Sequence, residues 1–385
     1  MVKKSFTLIL LFSTILLYFA FFNVPEKAVA DDLSDAVLDQ ADNLDLDGLK
    51  DFFENSVDYE YDFMTSFKKL LKGEYDGGEN LFDYVKNVVF SEVKNLLPTM
   101  IGILVVSLLF EIVRNSKSAY LSESVGSVIK FVSVLTITLL LFPEFLYIWN
   151  RTKNLIENIG KFSEIMSPVI LTLMVASGGS VSAAVYKPSV LFFTDVVINL
   201  FYSVVLPLIG VLTAFNVMSH LTKDIKLKKF SEFFGGILKW IFGITLSVYG
   251  LFITLQGLTV SATDGISAKI AKYAVSNSVP IVGGLIKEGL DVVAAGSIIV
   301  KNSLGVAGLT GIFYVVLSPV LNMAVFSLSL KFIAAVSDIF SEETVPSFLG
   351  TVSKSVNYLI AAALTVGLMA FLTVLLMVLS ANSVI

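Results

Sequence analysis

Apolar residues in this chain come in long runs. Leu97 to Val113, Val128 to Trp149, Ser189 to Met218, Phe234 to Leu255, Leu304 to Leu328 and Val356 to Leu379 each approach or exceed the helical length that a hydrocarbon layer demands, about 20 residues for ~30 Å. Pro207 and Pro319 fall inside two of these runs and predict kinks there. A further run, Ile165 to Val185, is broken by Ser177-Gly178-Gly179-Ser180 and followed at once by Tyr186-Lys187-Pro188. Adjacent glycines disfavour a continuous helix, which leaves two readings. The break is a re-entrant or discontinuous element whose backbone is satisfied by protein or water, or it is a close helix contact made by small residues. The pattern predicts an all-α polytopic membrane protein with about 6 to 8 transmembrane or re-entrant helices.

Ahead of these runs the chain changes character. Lys3 and Lys4, an apolar stretch from Phe6 to Phe22, and Ala28-Val29-Ala30 have the layout of a signal peptide over residues 1–30, with cleavage after Ala30 or retention as an anchor. Residues 31–94 then alternate acids with apolar positions: Leu44, Leu46, Leu49, Phe52, Phe53, Val57 and Tyr61 recur at spacings near three and four, which fits short amphipathic helices. Gly73, Gly77 and Gly78 mark a turn before the helix-like run Leu81, Tyr84, Val85 and Val88. This small acidic helical domain is expected on the extracytoplasmic side, either as a docking surface or as a solvated cap. The polytopic domain is expected from residue 95 to residue 385.

Charge orders the remainder. Residues 31–94 hold 17 Asp or Glu against 6 Lys, while the chain as a whole carries a net charge of −5. Lys223, Lys226, Lys228 and Lys229 make residues 219–229 the most basic connection, and lysine excess beside spans marks the cytoplasmic face. An odd number of crossings must then separate that loop from the acidic domain, so one of the four intervening candidates, most simply Ile165 to Val185, fails to cross. Residues 150–164 mix Leu155, Ile156, Ile159 and Phe162 with Lys, Asn and Glu, as an interfacial helix or a wet extension of a span would. Residues 256–303 are a mixed polar segment carrying Asp264, Lys269, Lys287, Glu288 and Asp291, too polar for lipid contact.

Composition removes several chemistries. With 55% hydrophobic and 15% charged residues and a mean hydropathy of +0.83, the chain exceeds the apolar share of soluble domains. It has no cysteine and one histidine, His220, so thiol sites and multi-histidine metal sites are absent from the sequence, and His220 reads as an interfacial side chain. Gly283-Gly284 and the glycines from Gly305 to Gly311 lack phosphate-loop spacing. The exposed domain is acidic, so nucleic acid is not an expected partner, and no cofactor or metal is expected. Charges within apolar segments are functional candidates by default: Glu111 beside Arg114, Glu144 after Pro143, and Asp195, which is either shallow or faces a polar interior. Asp195 and Asp264 lack the GxGD context of an intramembrane aspartyl protease.

SGGSVSAAVYKP at Ser177 to Pro188 and QGLTVSATDGISAKIAKYAVSNSVPIVGG at Gln256 to Gly284 resemble the stage III sporulation protein AE family, with weaker likeness at Val300-Lys301-Asn302 and Lys354-Ser355. The resemblance implies a non-enzymatic subunit of a transenvelope channel or secretion-like complex, required for endospore formation, in the mother-cell membrane around the forespore. It implies companion stage III sporulation proteins of the same operon, including a secretion-type ATPase and ring-forming proteins, and a channel partner on the forespore side. On this reading Ser177, Gly178, Gly179, Ser180, Asp195 and Asp264 are candidates for a polar path or for packing, and Lys223, Lys226, Lys228 and Lys229 for cytoplasmic docking. An autonomous small-molecule transporter and a membrane scaffold that only assembles the complex are the competing expectations.

Overall fold

A computed structural model describes residues 37, 40–57, 61–74, 81–115, 123–221, 227–278, 283–339 and 344–380; the expected signal peptide and the docking candidates Lys223 and Lys226 lie outside them. Two short helices, α1 (Asp47–Ser56) and α2 (Phe63–Leu71), precede the long rods α3 (Leu81–Asn115), α4 (Glu123–Ala176), α5 (Ser180–Leu200), α6 (Leu206–Leu221), α7 (Lys228–Ser278), α8 (Gly283–Asp338) and α9 (Thr344–Leu379). A π-helical turn, Phe201–Val205, joins α5 to α6 in one continuous rod. No strand occurs among the described residues. Among the described residues, six segments are long and apolar enough to cross a membrane: Leu81–Val113, Val125–Ala176, Ser180–Leu221, Lys229–Leu255, Val292–Asp338 and Thr344–Leu379. The chain is an all-α polytopic membrane protein.

The rods outrun the apolar runs that seed them. α4 has 54 residues and α8 has 56, about 80 Å each at 1.5 Å per residue, so each extends well beyond a single bilayer crossing. α3 starts at Leu81, inside the expected acidic domain, because the stripe of Tyr84, Val85 and Val88 reaches the apolar run with no proline or glycine before Pro98. The expected boundary near residue 94 therefore falls within one helix. Pro98 of α3 and Pro143 of α4 stand at the same level, next to the hydrogen bond from Thr99 Oγ1 to Glu144 Oε1 (3.2 Å). Each proline removes a backbone donor, so both helices lose a rung at that level.

The centre of the bundle is the α8–α9 hairpin. The most apolar windows of these helices are 72% buried, against 17% for those of α3 and α7. Glycines bring the two helices together: a Cβ at Gly305 would lie 2.0 Å from Val378 and one at Gly367 would lie 2.7 Å from Val316. Small residues at such contacts let dispersion accumulate where the hydrophobic effect offers little. The outer rods instead expose apolar rows, among them Ile101, Leu109 and Ile112 on α3 and Trp240, Ile244 and Leu251 on α7.

The acidic segment folds back onto this bundle. Its amphipathic face, Leu49, Phe52, Phe53, Phe63, Phe67, Leu70 and Leu71, is buried, with Phe53 stacked on Phe63 at 5.0 Å and Phe52 against Phe162 of α4 at 5.6 Å. Gly311 of α8 makes room for Phe53, since a Cβ there would come within 2.3 Å of the ring. Tyr61 Oη donates to the Ala307 carbonyl at 2.5 Å. Tyr61→Phe is expected to cost about 1 kcal/mol and to make the segment more sensitive to added protease while membrane insertion is unchanged.

Asp62 caps α2, its carboxylate accepting from the Thr65 backbone N–H at 2.9 Å and from Thr65 Oγ1 at 2.5 Å. Those hydrogen bonds hold its pKa below the ordinary carboxylate value. The cap therefore stabilises α2 fully above about pH 3.9, the unfolded pKa, and loses that contribution as pH falls through the lower folded value. Hydrogen exchange at the Thr65 amide is expected to show this acid loss of protection in the native chain, and Asp62→Asn, which still caps, to remove the pH dependence.

Candidate functional site: polar ties at the two ends of the bundle

The glycine break between α4 and α5 is a helix-to-helix turn. α4 closes with Gly178 at φ +95°, the Gly178 N–H donating to the Val175 carbonyl (3.0 Å) and the Gly179 N–H to the Met174 carbonyl (2.8 Å). That pair of bonds is the Schellman pattern, which needs a left-handed residue and so favours glycine. Gly179 then caps α5, its carbonyl accepting from Ala183 N–H at 2.9 Å. Ser177 is fully buried and donates to the Met174 carbonyl at 2.9 Å; Ser180 begins α5. The break therefore reverses the chain and satisfies its own backbone. Three helical rods, α3, α4 and α5–α6, consequently run between the acidic segment and the lysine loop.

Beside this turn lies the first tie. Lys301 of α8 is fully buried, and its Nζ donates to the carbonyl of Ser380, just past the last residue of α9. Ser380 Oγ donates to Tyr186 Oη of α5 at 2.9 Å, and Tyr186 is fully buried as well. A cation at a helix C-terminus meets the partial negative charge of carbonyls that lack intrahelical donors. Gln40 extends the tie into the acidic segment: its Nε2 donates to the Val293 carbonyl (3.3 Å) and its Oε1 accepts from Ser297 Oγ (3.2 Å).

The second tie sits at the opposite end, near the lysine loop. Asn216 of α6 is buried; its Nδ2 donates to Ser355 Oγ of α9 at 3.2 Å and its Oδ1 accepts from Ser231 Oγ of α7. His220 Nδ1 lies 2.8 Å from the Asn216 carbonyl and Nε2 3.4 Å from Ser347 Oγ, so the histidine joins α6 to α9. Ser327 Oγ donates to Asn357 Oδ1 at 3.0 Å, locking α8 to α9 nearby.

Between the ties, Tyr249 of α7 donates to the Met369 carbonyl of α9 at 2.6 Å. Arg151 of α4 donates to Tyr147 Oη and to Ser318 Oγ of α8, both at 3.0 Å. Glu92 of α3 is 6% exposed and feels the charges of Glu144 and Arg151. A small pocket is lined by Ser163, Phe193, Val197, Tyr249, Met369 and Thr373.

The candidates read from sequence divide accordingly. Ser177, Gly178, Gly179 and Ser180 come together in the turn, next to the first tie. Asp195 faces outward on α5, where it accepts from Asn199 Nδ2 at 3.0 Å, so it does not line the packed interior. Its neighbour Phe193 stacks on Phe252 at 3.9 Å, three residues before the apolar run of α7 ends at Leu255. The residue is therefore shallow. Asp264 and Lys228 lie on α7, their side chains outside the described residues, and Lys229 is exposed. Sequence reading named Lys301 and Ser355 only within weak stretches of likeness, and missed Tyr186, Asn216 and Ser380 as ties, because nothing in a serine or an asparagine announces a partner more than a hundred residues away.

A family description, stage III sporulation protein AE, matches residues 61–381. The protein named stage III sporulation protein AE in Bacillus subtilis (strain 168) is 26% identical over 302 residues, covering 78% of this chain and 75% of that protein. No solved structure matches significantly. The matched region takes in α2 and every rod but starts after α1.

Proposed function

The chain belongs to the stage III sporulation protein AE family, and on that premise we propose that it is a non-enzymatic membrane subunit of a transenvelope complex acting in endospore formation. The complex spans the mother-cell membrane around the forespore. The observation that carries this reading is the separation of two charged ends by an odd number of rods. The acidic segment is clasped at one end of the bundle, and the loop of Lys223, Lys226, Lys228 and Lys229 follows α6 at the other. A basic loop is read as cytoplasmic, which turns the acidic segment toward the intermembrane space. Acids and lysines in these positions offer docking faces for ring-forming proteins outside and for a secretion-type ATPase inside. The interior polar groups described above bind helix to helix, as a rigid subunit requires.

The test is reversal of the lysine loop, with all four lysines changed to glutamate, in sporulating cells. The variant is expected to reach the membrane at normal level, to lose co-purification of the ATPase, and to lower spore yield. Unchanged spore yield and unchanged co-purification would reject the docking role. Solute transport by the purified chain alone in liposomes would favour an autonomous transporter.

A further inference from the structure

The outward face shared by α4 and α5 carries charged and polar side chains, with Phe192, Val196 and Val204 exposed among them, at a depth where the neighbouring helix is apolar. On α4, Asn154, Lys161 and Glu164 are exposed and Lys153, Glu157 and Asn158 half-buried; on α5 and the π-helical turn, Asp195, Asn199, Tyr202 and Ser203 are exposed. Packing fixes these two rows side by side. A Cβ at Gly160 would lie 3.6 Å from Ile198, and Lys153 Nζ sits 5.2 Å from the centre of the Tyr202 ring. Packing also fixes their level against α7, because Phe201 meets Phe242 at 5.7 Å and Phe193 meets Phe252 at 3.9 Å. Over that stretch α7 turns Trp240 (73% exposed), Ile244 and Leu251 outward, the composition of a lipid-facing row.

Charged side chains at hydrocarbon depth face a protein interior or a water-filled cavity. Four of them, Lys153, Glu157, Lys161 and Glu164, share this face, with the shallower Asp195 at its edge, and none lies in the packed core. The π-helical turn at Phe201–Val205 runs beside Lys153, an irregularity often found where helices serve function. At its far end the strip passes under α1, where a Cβ at Gly48 would touch Ile165 at 3.3 Å and the exposed acids Asp47, Asp51 and Glu54 begin.

We propose that this strip is one wall of a water-filled path, closed by the same strip on further copies of this chain. The proposal rests on the family reading above and extends it by assigning the path to named residues. Both charge signs occur on the strip, with Lys153, Glu157 and Lys161 at i, i+4 spacing, so a second copy brings acid opposite base without a separate partner of complementary charge. A path walled by both signs admits hydrated polar solutes.

The chain has no cysteine, so single cysteines report without background. We would place Glu157→Cys, Lys161→Cys and Asn199→Cys on the strip and Ile244→Cys and Leu251→Cys on α7, in the full chain in membranes of sporulating cells. A membrane-impermeant thiol reagent is expected to modify the strip positions about tenfold or more faster than the α7 positions, because the thiolate is the reacting form and apolar surroundings suppress it. Oxidation is expected to cross-link Asn199→Cys chains into homodimers. Equal reaction at both sets would place this part of the bundle outside the bilayer and overturn the proposal. Unreactive strip positions, or a strip that cross-links only to a different protein, would overturn it too. Spore yield of the same strains reads the family role separately, so a functional chain with an unreactive strip rejects the path alone.

Discussion

Lys301→Glu is expected to eliminate the folded protein from membranes and reduce spore yield to the level of a gene deletion, while Lys301→Met leaves most of both. Lys301 is fully buried with its Nζ on the Ser380 carbonyl. Glutamate at that place would set a negative charge against the negative end of α9. An uncompensated buried charge costs about 3 to 5 kcal/mol, a large part of the ~5 to 15 kcal/mol by which domains are stable. Methionine keeps the length of the side chain and removes the charge, at the smaller cost of one hydrogen bond to the Ser380 carbonyl, about 1 to 3 kcal/mol. Immunoblots of membrane fractions and spore counts from the two strains distinguish the cases. Equal loss in both would mean that the ammonium group has a role beyond capping α9.

Gly305→Leu is expected to be nearly as damaging, and Gly243→Leu harmless. At Gly305 a Cβ would fall 2.0 Å from Val378, a stiff β-branched side chain that cannot swing aside. The α8–α9 hairpin would have to separate, and overpacking of this kind costs roughly 1 to 3 kcal/mol or more. The loss would spread, because Lys301 and Ser380 lie within one turn of the contact and hold α5 through Tyr186. Gly243 on α7 meets nothing within 4 Å, and leucine there adds helix propensity on an exposed face. Thermal aggregation of the detergent-solubilised chain would show a lowered midpoint for the first variant only.

Long apolar runs made the fold class legible in the sequence, because a hydrocarbon layer sets both the length and the composition of what crosses it. The glycine break at Ser177 to Ser180 was legible as an interruption; whether it turned the chain or entered the membrane depended on hydrogen bonds to Met174 and Val175 that no local pattern encodes. Helix lengths were underestimated for a related reason. Val356 to Leu379 is the apolar part of α9, but the helix begins at Thr344, since Ser347, Thr351 and Ser355 are accommodated by bonds to neighbouring helices or to the carbonyl one turn back. The stripe of Leu49, Phe52 and Phe53 announced an amphipathic helix; that its apolar face would find Gly311, some 260 residues away, was beyond any periodicity. Candidate site residues fared unevenly for the same physical cause. Depth and partner, which decide what Asp195 or Lys301 does, are properties of packing.

Membership of a transenvelope complex is read from the native size and composition of the full chain extracted from membranes of sporulating cells in a mild detergent. A tagged chain is expected to elute far above its own mass of 41.9 kDa and to bring down companion stage III sporulation proteins, the ATPase among them. Elution as a free chain, with full sporulation maintained and no companion recovered after cross-linking, would contradict it.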